Sequence, residues 1–535
     1  MRNAIKRWIW LLPAGMLAMA ALGRQAGTPP TAASAPAAPA ASQANSAPGQ
    51  EKDGTGVVPP GIKLVPEMPP PGAPRLFHFP QAATKTLPNG LRVFVVSDAG
   101  EPAIAAQLVI LSAGSVRDPA DMPGVAQMTA NLLTQGTEKR SAQQIAESID
   151  FIGGTLQAAA DKDATVVKLA IVKKDLDTGL DLMSDVVLHP AFRAEELDRQ
   201  RQQLLSGFEV QYSDPDYLAS VVFGRVIYGD SPYGWPAEGT PETAQKLTRD
   251  DLAKFHDAHY APNQALLAFA GDITSEKAFA ATEKYFGAWP RLAITSSEPP
   301  APPALQGVHI WLVDKPDAVQ TQIRVGKLGI RRGDANYIPV EVMNRIFGGG
   351  YNSRLNTEVR VKKGLTYGAY SSLGAHRYAG SFAVGTFTRT QTTVEATKLV
   401  VALIAQMASG DVTEKELDFA RDYLAGVYPI QSETAEQVAD RVLTVAAYGL
   451  PADYNSGYPE RIRGVTLAEV REMAKKYLQA GGLDIVLAGN VAAFRDALKK
   501  EFPDAQYVEI PFDQIDVLVP GLKRPKPAPT AAPTP

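Results

Sequence analysis

Short apolar runs rich in β-branched residues are interspersed along this chain with longer amphipathic stretches. Residues 91–97, 104–111, 165–172 and 265–270 carry the strand pattern, and residues 310–313, 320–328, 381–387 and 484–488 repeat it further on. Helical periodicity predicts helices over 141–152, 175–188, 194–212 and 248–258, and again over 338–347, 392–408, 413–427 and 466–478. Thr413 with Glu416 three residues on predicts a capping box at the head of one of them. Helices and strands do not alternate strictly, so an α+β layer architecture fits better than a doubly wound parallel sheet.

The order of elements repeats, and so do short blocks of sequence. Glu196-Leu197-Asp198 matches Glu416-Leu417-Asp418, and Tyr228-Gly229 matches Tyr448-Gly449, both at an offset of 220. Leu247-Thr248 matches Val465-Thr466, and Ala270-Gly271 matches Ala488-Gly489, at an offset of 218. A nearly constant offset over this length points to an internal duplication. Two homologous domains are expected, over residues 81–295 and 307–516, joined by a Pro-rich linker over 296–306.

The termini lack this patterning. Arg2, Lys6 and Arg7 precede an apolar run from Trp8 to Leu22, and Ala18-Met19-Ala20 offers a small-residue cleavage site. That is the anatomy of a signal peptide over residues 1–23, which predicts a periplasmic or secreted protein. An uncleaved N-terminal anchor is the alternative, although the run falls short of the roughly 20 apolar residues of a stable span. Residues 24–75 are rich in Ala, Pro, Ser and Gly, and predict an extended linker reaching to residue 80; residues 517–535 predict a disordered tail. The net charge of −4 gives no reason to expect a nucleic-acid partner. The absence of cysteine excludes disulfides, thiolate catalysis, cysteine–zinc sites and a cysteine-linked lipid anchor.

Residues 124–137 read Gly-Val-Ala-Gln-Met-Thr-Ala-Asn-Leu-Leu-Thr-Gln-Gly-Thr. The stretch resembles the zinc helix of the pitrilysin/insulinase family of zinc metallopeptidases, whose pattern is G-x-A-H-x-x-E-H, an apolar run and G-T. The two histidine positions hold Gln127 and Asn131, and the glutamate position holds Ala130. Counting back from Ser213-Asp214-Pro215, which resembles the family's acidic-proline ending, puts Gly207 at the third ligand and Gln200 at a supporting acidic position. In the family, two imidazoles one helical turn apart grip the metal, and the glutamate takes a proton from metal-bound water. Amide carbonyls are poor ligands for zinc, and Ala130 offers no base. Glu209 lies two residues past Gly207 and points to nearly the opposite side of a helix. His256 and His259 are the one close histidine pair, but no third ligand accompanies them at a recognised spacing, so they read as a polar helix end. The resemblance therefore implies neither a metal nor a catalytic residue in this chain.

The second half keeps what the first has lost. Residues 347–367 resemble the family's C-terminal signature, in which a glycine run and Ser-Arg-Leu precede an arginine and a tyrosine seven residues apart. Gly348, Gly349 and Gly350 supply the run, and Arg360 and Tyr367 have that spacing. By resemblance, this pair binds a peptide across the cleft: a guanidinium can donate to a backbone carbonyl and a phenol to the oxyanion formed during attack. Taken singly, the glycines also read as a flexible turn, Arg360 as a surface charge and Tyr367 as a buried strand residue with its hydroxyl at the edge.

The resemblance spans residues 84–515. It implies that each domain is a mostly antiparallel sheet packed with helices, the two forming half of a clamshell. It further implies the non-catalytic half-length subunit of a heterodimeric zinc metallopeptidase. The partner would carry His-x-x-Glu-His and the zinc, and the substrate would be an unfolded peptide laid against a sheet edge. A peptide-binding or scaffold protein without proteolytic role is the alternative, and the sequence leaves open whether the partner is a second gene product or another copy of this chain.

Overall fold

The computed structural model describes residues 77–524 apart from 295–297, 304 and 480. The expected signal segment, nearly all of the N-terminal linker and the last residues of the tail lie outside them. The first half runs β1 (Ala83–Thr86), β2 (Arg92–Ser97), β3 (Ala103–Ile110), α1 (Val125–Leu133), α2 (Ala142–Phe151), β4 (Thr155–Ala160) and β5 (Thr165–Val172). It continues with α3 (Leu176–Leu188), α4 (Ala194–Gln211), α5 (Pro215–Tyr228), α6 (Pro241–Lys246), α7 (Arg249–His259), β6 (Ala265–Gly271) and α8 (Ser275–Phe286). The second half opens with β7 (Val308–Asp314), β8 (Gln320–Leu328), α9 (Tyr337–Phe347) and α10 (Arg354–Asn356), which winds into a π-helical turn at Thr357–Lys362. Then come β9 (Ala369–Ala375), β10 (Gly380–Arg389), α11 (Thr393–Ala408), α12 (Glu414–Ile430) and α13 (Ala435–Tyr448). The chain closes with α14 (Tyr458–Gly464), α15 (Leu467–Tyr477), β11 (Leu483–Gly489), α16 (Arg495–Glu501) and β12 (Gln506–Pro511).

The duplication is plain in the sheets. One has the order β1-β2-β6-β3-β5-β4 and the other β12-β7-β11-β8-β10-β9. From the second position on, the two orders correspond strand for strand. The first sheet is antiparallel except for β2 with β6. The second has two parallel pairings, because its outer strand β12 arrives from the C-terminus and runs alongside β7. The matching Tyr-Gly blocks end α5 and α13, where Gly229 and Gly449 take positive φ. The matching Thr248 and Thr466 close capping boxes on α7 and α15, and Thr413 with Glu416 does so on α12 as expected.

The halves are interlocked by an exchange of helices. α5, from the first half, packs on β8 and β11 of the second sheet; α13, from the second half, packs on β3 and β6 of the first. Leu218, Val222 and Ile227 of α5 share a buried cluster with Val313, Val486 and Ala488. Val438, Ala439, Val442 and Leu443 of α13 bury against Phe94, Val96, Leu266 and Ala268. With helices on both faces, the central strands β6 and β11 are buried at every residue. Each of the valine, leucine, isoleucine and phenylalanine side chains contributes about 1.5–3 kcal/mol. The exposed Lys168–Asp440 pair across the same contact (3.2 Å) contributes less than about 1 kcal/mol. Apolar burial therefore decides the association.

The expected tail begins later than residue 517. Val517 and Leu522 are buried in the α5 cluster, and the guanidinium of Arg225 donates to the Val517 carbonyl (2.9 Å). Apolar residues set among the prolines of this segment give it something to bury, which composition alone conceals. Upstream, Phe77 and Phe79 also pack against the folded body, so the linker's last residues belong to it.

Candidate functional site

The positions that held metal chemistry in the resemblance come together on α1, which lies against the edge strand β4 and against α4. Gln127 and Asn131, one turn apart, bond to each other: the Gln127 amide donates to the Asn131 carbonyl oxygen (2.9 Å). The Gln127 oxygen in turn accepts the backbone N–H of Ala160 at the end of β4 (3.2 Å). Both carbonyl oxygens, the only atoms of the pair able to ligate a cation, are already engaged. Ala130 is fully buried, and nothing lies within 4 Å of where a Cβ on Gly207 would stand. Glu209 is exposed. The residues present do not fit a zinc ion, and among the described residues no three His, Cys, Asp or Glu side chains cluster to hold a metal.

His256 and His259 do not form a pair. His256 Nε2 sits 2.9 Å from the Val187 carbonyl, its ring packed on Tyr260, while His259 packs on Phe255. Burial lowers the pKa of both rings. They belong to the packing of α7 against α3 and the following turn.

The head of α1 is held by Asp118, whose carboxyl oxygens accept the N–H groups of Gly124 (2.7 Å) and Ala126 (2.9 Å). Burial pushes Asp118 up to about 7, against the pull of those two donors and of nearby Lys162. In the unfolded chain the same carboxyl ionises near 3.8. Between those values the unfolded chain gives up its proton while the folded one keeps it. Stability contributed by Asp118 is thus complete below pH 3.8, falls as pH rises, and is lost once pH passes about 7. Urea unfolding at stepped pH is expected to show this decline, roughly 4 kcal/mol at most, and Asp118→Asn is expected to flatten it.

The retained signature lies in the second half, between the end of α9 and the start of β9. Gly348 and Gly350 are not a flexible turn; they make room. A Cβ on residue 348 would fall 2.4 Å from the Ser371 hydroxyl, on β9, and the Gly348 carbonyl accepts the Ser371 N–H (3.0 Å). A Cβ on residue 350 would fall 2.2 Å from the Arg345 guanidinium. Gly348→Ala is expected to cost about 1–3 kcal/mol in urea unfolding, since the backbone of β9 cannot retreat from it.

Past the glycines, Tyr351 stands 65% exposed, and the Arg360 guanidinium lies 5.0 Å from its ring centre. Arg360 rides on the π-helical turn, a local widening often found at functional sites. Tyr367 is 82% exposed. Its neighbours hold it: the Thr366 hydroxyl accepts the Gly368 N–H (3.2 Å), and Gly368 leads directly into β9. An aromatic side chain this exposed does little packing, which argues against the reading of Tyr367 as a buried strand residue. Gly348–Gly350, Arg360 and Tyr367 are thereby gathered at one edge of the second sheet. Among the described residues, no hydrogen bond, ion pair or ring contact joins them to Gln127 or Asn131 at the edge of the first. Tyr351 and Tyr370, the other exposed aromatics here, went unread in the sequence; their spacing around Arg360 and Tyr367 was the available signal.

The sequence profile described as Insulinase (Peptidase family M16) matches residues 92–227, and that of the Peptidase M16 inactive domain matches residues 246–424. The chain belongs to the insulinase, or M16, peptidase family. An uncharacterized zinc protease of Mycobacterium leprae is 29% identical over 64% of this chain and 77% of its own. A non-peptidase homolog of Helicobacter pylori is 24% identical over 72% of this chain and 88% of its own. The crystal structure of a peptidase M16 inactive domain from Pseudomonas fluorescens superposes with a TM-score of 0.72 at 29% identity, over 76% of this chain and 98% of that one. The structure of a protease from Helicobacter pylori shares the fold, with the same TM-score at 21% identity, over 77% of this chain and 99% of that one. With its metal and base positions vacated, this M16 chain is a non-catalytic member of the family.

Proposed function

We propose that this chain is the non-catalytic subunit of a heterodimeric periplasmic zinc peptidase. The partner subunit supplies the zinc and the general base. This chain closes the chamber and presents Arg360 and Tyr367 to a peptide held at the partner's site. The observation that carries the reading is the contrast between the two edges. The α1–β4 edge has its polar groups tied to one another, whereas the β9 edge keeps a half-buried guanidinium against an exposed ring and a phenol on an exposed residue, neither of them in an ion pair among the described residues. At that edge Arg360 orients the peptide through a backbone carbonyl, and Tyr367 donates to the oxygen on which charge develops. β9 is the outermost strand of its sheet; Asn356, Gly348 and Asn344 occupy the main-chain groups of Ala369 and Ser371, so an extended peptide would pair with the strand beyond Ser371. The N-terminal sequence supports the periplasmic location.

The test is co-purification from the native host, followed by metal analysis and a peptide-cleavage assay on each component. A half-length His-x-x-Glu-His chain that carries zinc, and cleaves only when this chain is added, is the expected result. Zinc and turnover in this chain alone would overturn the reading. Peptide binding with no copurifying peptidase would favour a scaffold role.

A further inference from the structure

The second half has its own counterpart of the vacated metal site. α9 packs on α12 and β9 as α1 packs on α4 and β4. At that place stands Arg345, on the last turn of α9, with its guanidinium 3.3 Å from the ring centre of Tyr423 on α12. One arm of the guanidinium donates to the Gly349 carbonyl (2.5 Å), and Gly350, lacking a Cβ, leaves room for the group in this position. Arg345 is clamped between a ring and the glycine loop.

It has no anionic partner. Among the described residues Arg345 makes no ion pair, and neither does Arg360 beyond the same loop. Three nearby acids are paired elsewhere: Glu416 and Asp411 with Arg354, and Glu358 with Lys362. Burial makes the cation less favourable, lowering its pKa. The surroundings are aromatic and open, with Tyr423, Phe419 and Tyr351 all exposed. A rigid, half-buried guanidinium with spare donors and no counter-ion matches a carboxylate in geometry and charge.

We propose that Arg345, backed by Tyr423, binds a carboxylate of the peptide, giving the subunit a preference for acidic or free C-terminal ligands. This rests on the peptide-handling reading above and adds the ligand's charge to it. The test is calorimetric titration of the full chain with one short neutral sequence in three forms. The first has an amidated C-terminus, the second an internal glutamate and an amidated C-terminus, and the third a free C-terminus. At least one carboxylate form is expected to bind about tenfold tighter than the neutral form, and which one names the source of the group. Arg345→Gln is expected to erase that difference while leaving the neutral peptide's affinity in place; Arg345→Lys, which keeps the charge, is expected to retain part of it. Unchanged thermal unfolding of both variants shows that they fold. Equal affinity for all three forms, or an equal loss for all three in Arg345→Gln, overturns the proposal and leaves the peptide reading standing. Failure of every form to bind wild type overturns the peptide reading and this proposal together.

Discussion

In the proposed heterodimer, Tyr367→Phe is expected to lower kcat by about 10²–10³-fold, the effect of removing one donor to an oxyanion. KM is expected to change little, since a phenol that donates only as charge develops adds nothing to ground-state binding. The substitution is a clean one. Tyr367 is 82% exposed and, among the described residues, its hydroxyl makes no hydrogen bond, so the described fold loses no such bond when the oxygen is removed. The turn that carries it is fixed by Thr366 and Gly368, which the variant leaves alone. Assembly with the partner, followed by gel filtration, is therefore expected to match wild type. Arg360→Ala is expected to act differently, raising KM as well, because a guanidinium on a backbone carbonyl holds the substrate before reaction begins. Unchanged turnover in Tyr367→Phe would remove Tyr367 from the mechanism; lost assembly would make it an interface residue instead.

The elements that position these residues were unevenly legible. Strands such as β5 and β10 show an alternation of buried and half-buried residues that β-branched composition announces. β4 and β9 do not. Their sequences, Thr-Leu-Gln-Ala-Ala-Ala and Ala-Tyr-Ser-Ser-Leu-Gly-Ala, are small or polar because each strand is an edge with one flank in solvent. α5 and α13 also escaped. α5 is apolar nearly all round because it lies between the two halves, which blurs the one-sided stripe that periodicity relies on. Its start was readable in Asp214-Pro215, an N-cap followed by proline, as was that of α13 in Thr434 with Gln437. The exchange of helices between sheets was beyond reach, since no local pattern says which sheet a helix covers. At the vacated site, the sequence shows that ligands are missing, but only the coordinates show the replacements satisfying one another.

That interlocking makes one junction the most sensitive point for stability. The turns β4–β5 and β9–β10 meet there, and Asp163 sits between them, buried. Its carboxylate accepts the Tyr233 hydroxyl from the first half. From the second half it accepts the Arg377 N–H (3.0 Å) and the Tyr448 hydroxyl (3.2 Å). His376 stacks on Tyr233 beside it, and the neighbouring Lys162, pushed down to about 8 by burial, donates to the Trp235 carbonyl. Asp163→Ala removes the acceptor and strands three donors, one of them fully buried, which is expected to cost about 3–5 kcal/mol in urea unfolding. Asp163→Asn keeps an oxygen for the two donors from the second half, and the Tyr233 hydroxyl can rotate to accept, so about 1–2 kcal/mol is expected. Lys168→Ala, which breaks an exposed pair across the same halves, is expected to cost less than about 1 kcal/mol. Because α5 and α13 each complete the other half's core, the loss is expected to lower the midpoint of a single transition. Two resolved transitions in Asp163→Ala would mean that the halves fold independently and that the helix exchange does not couple them.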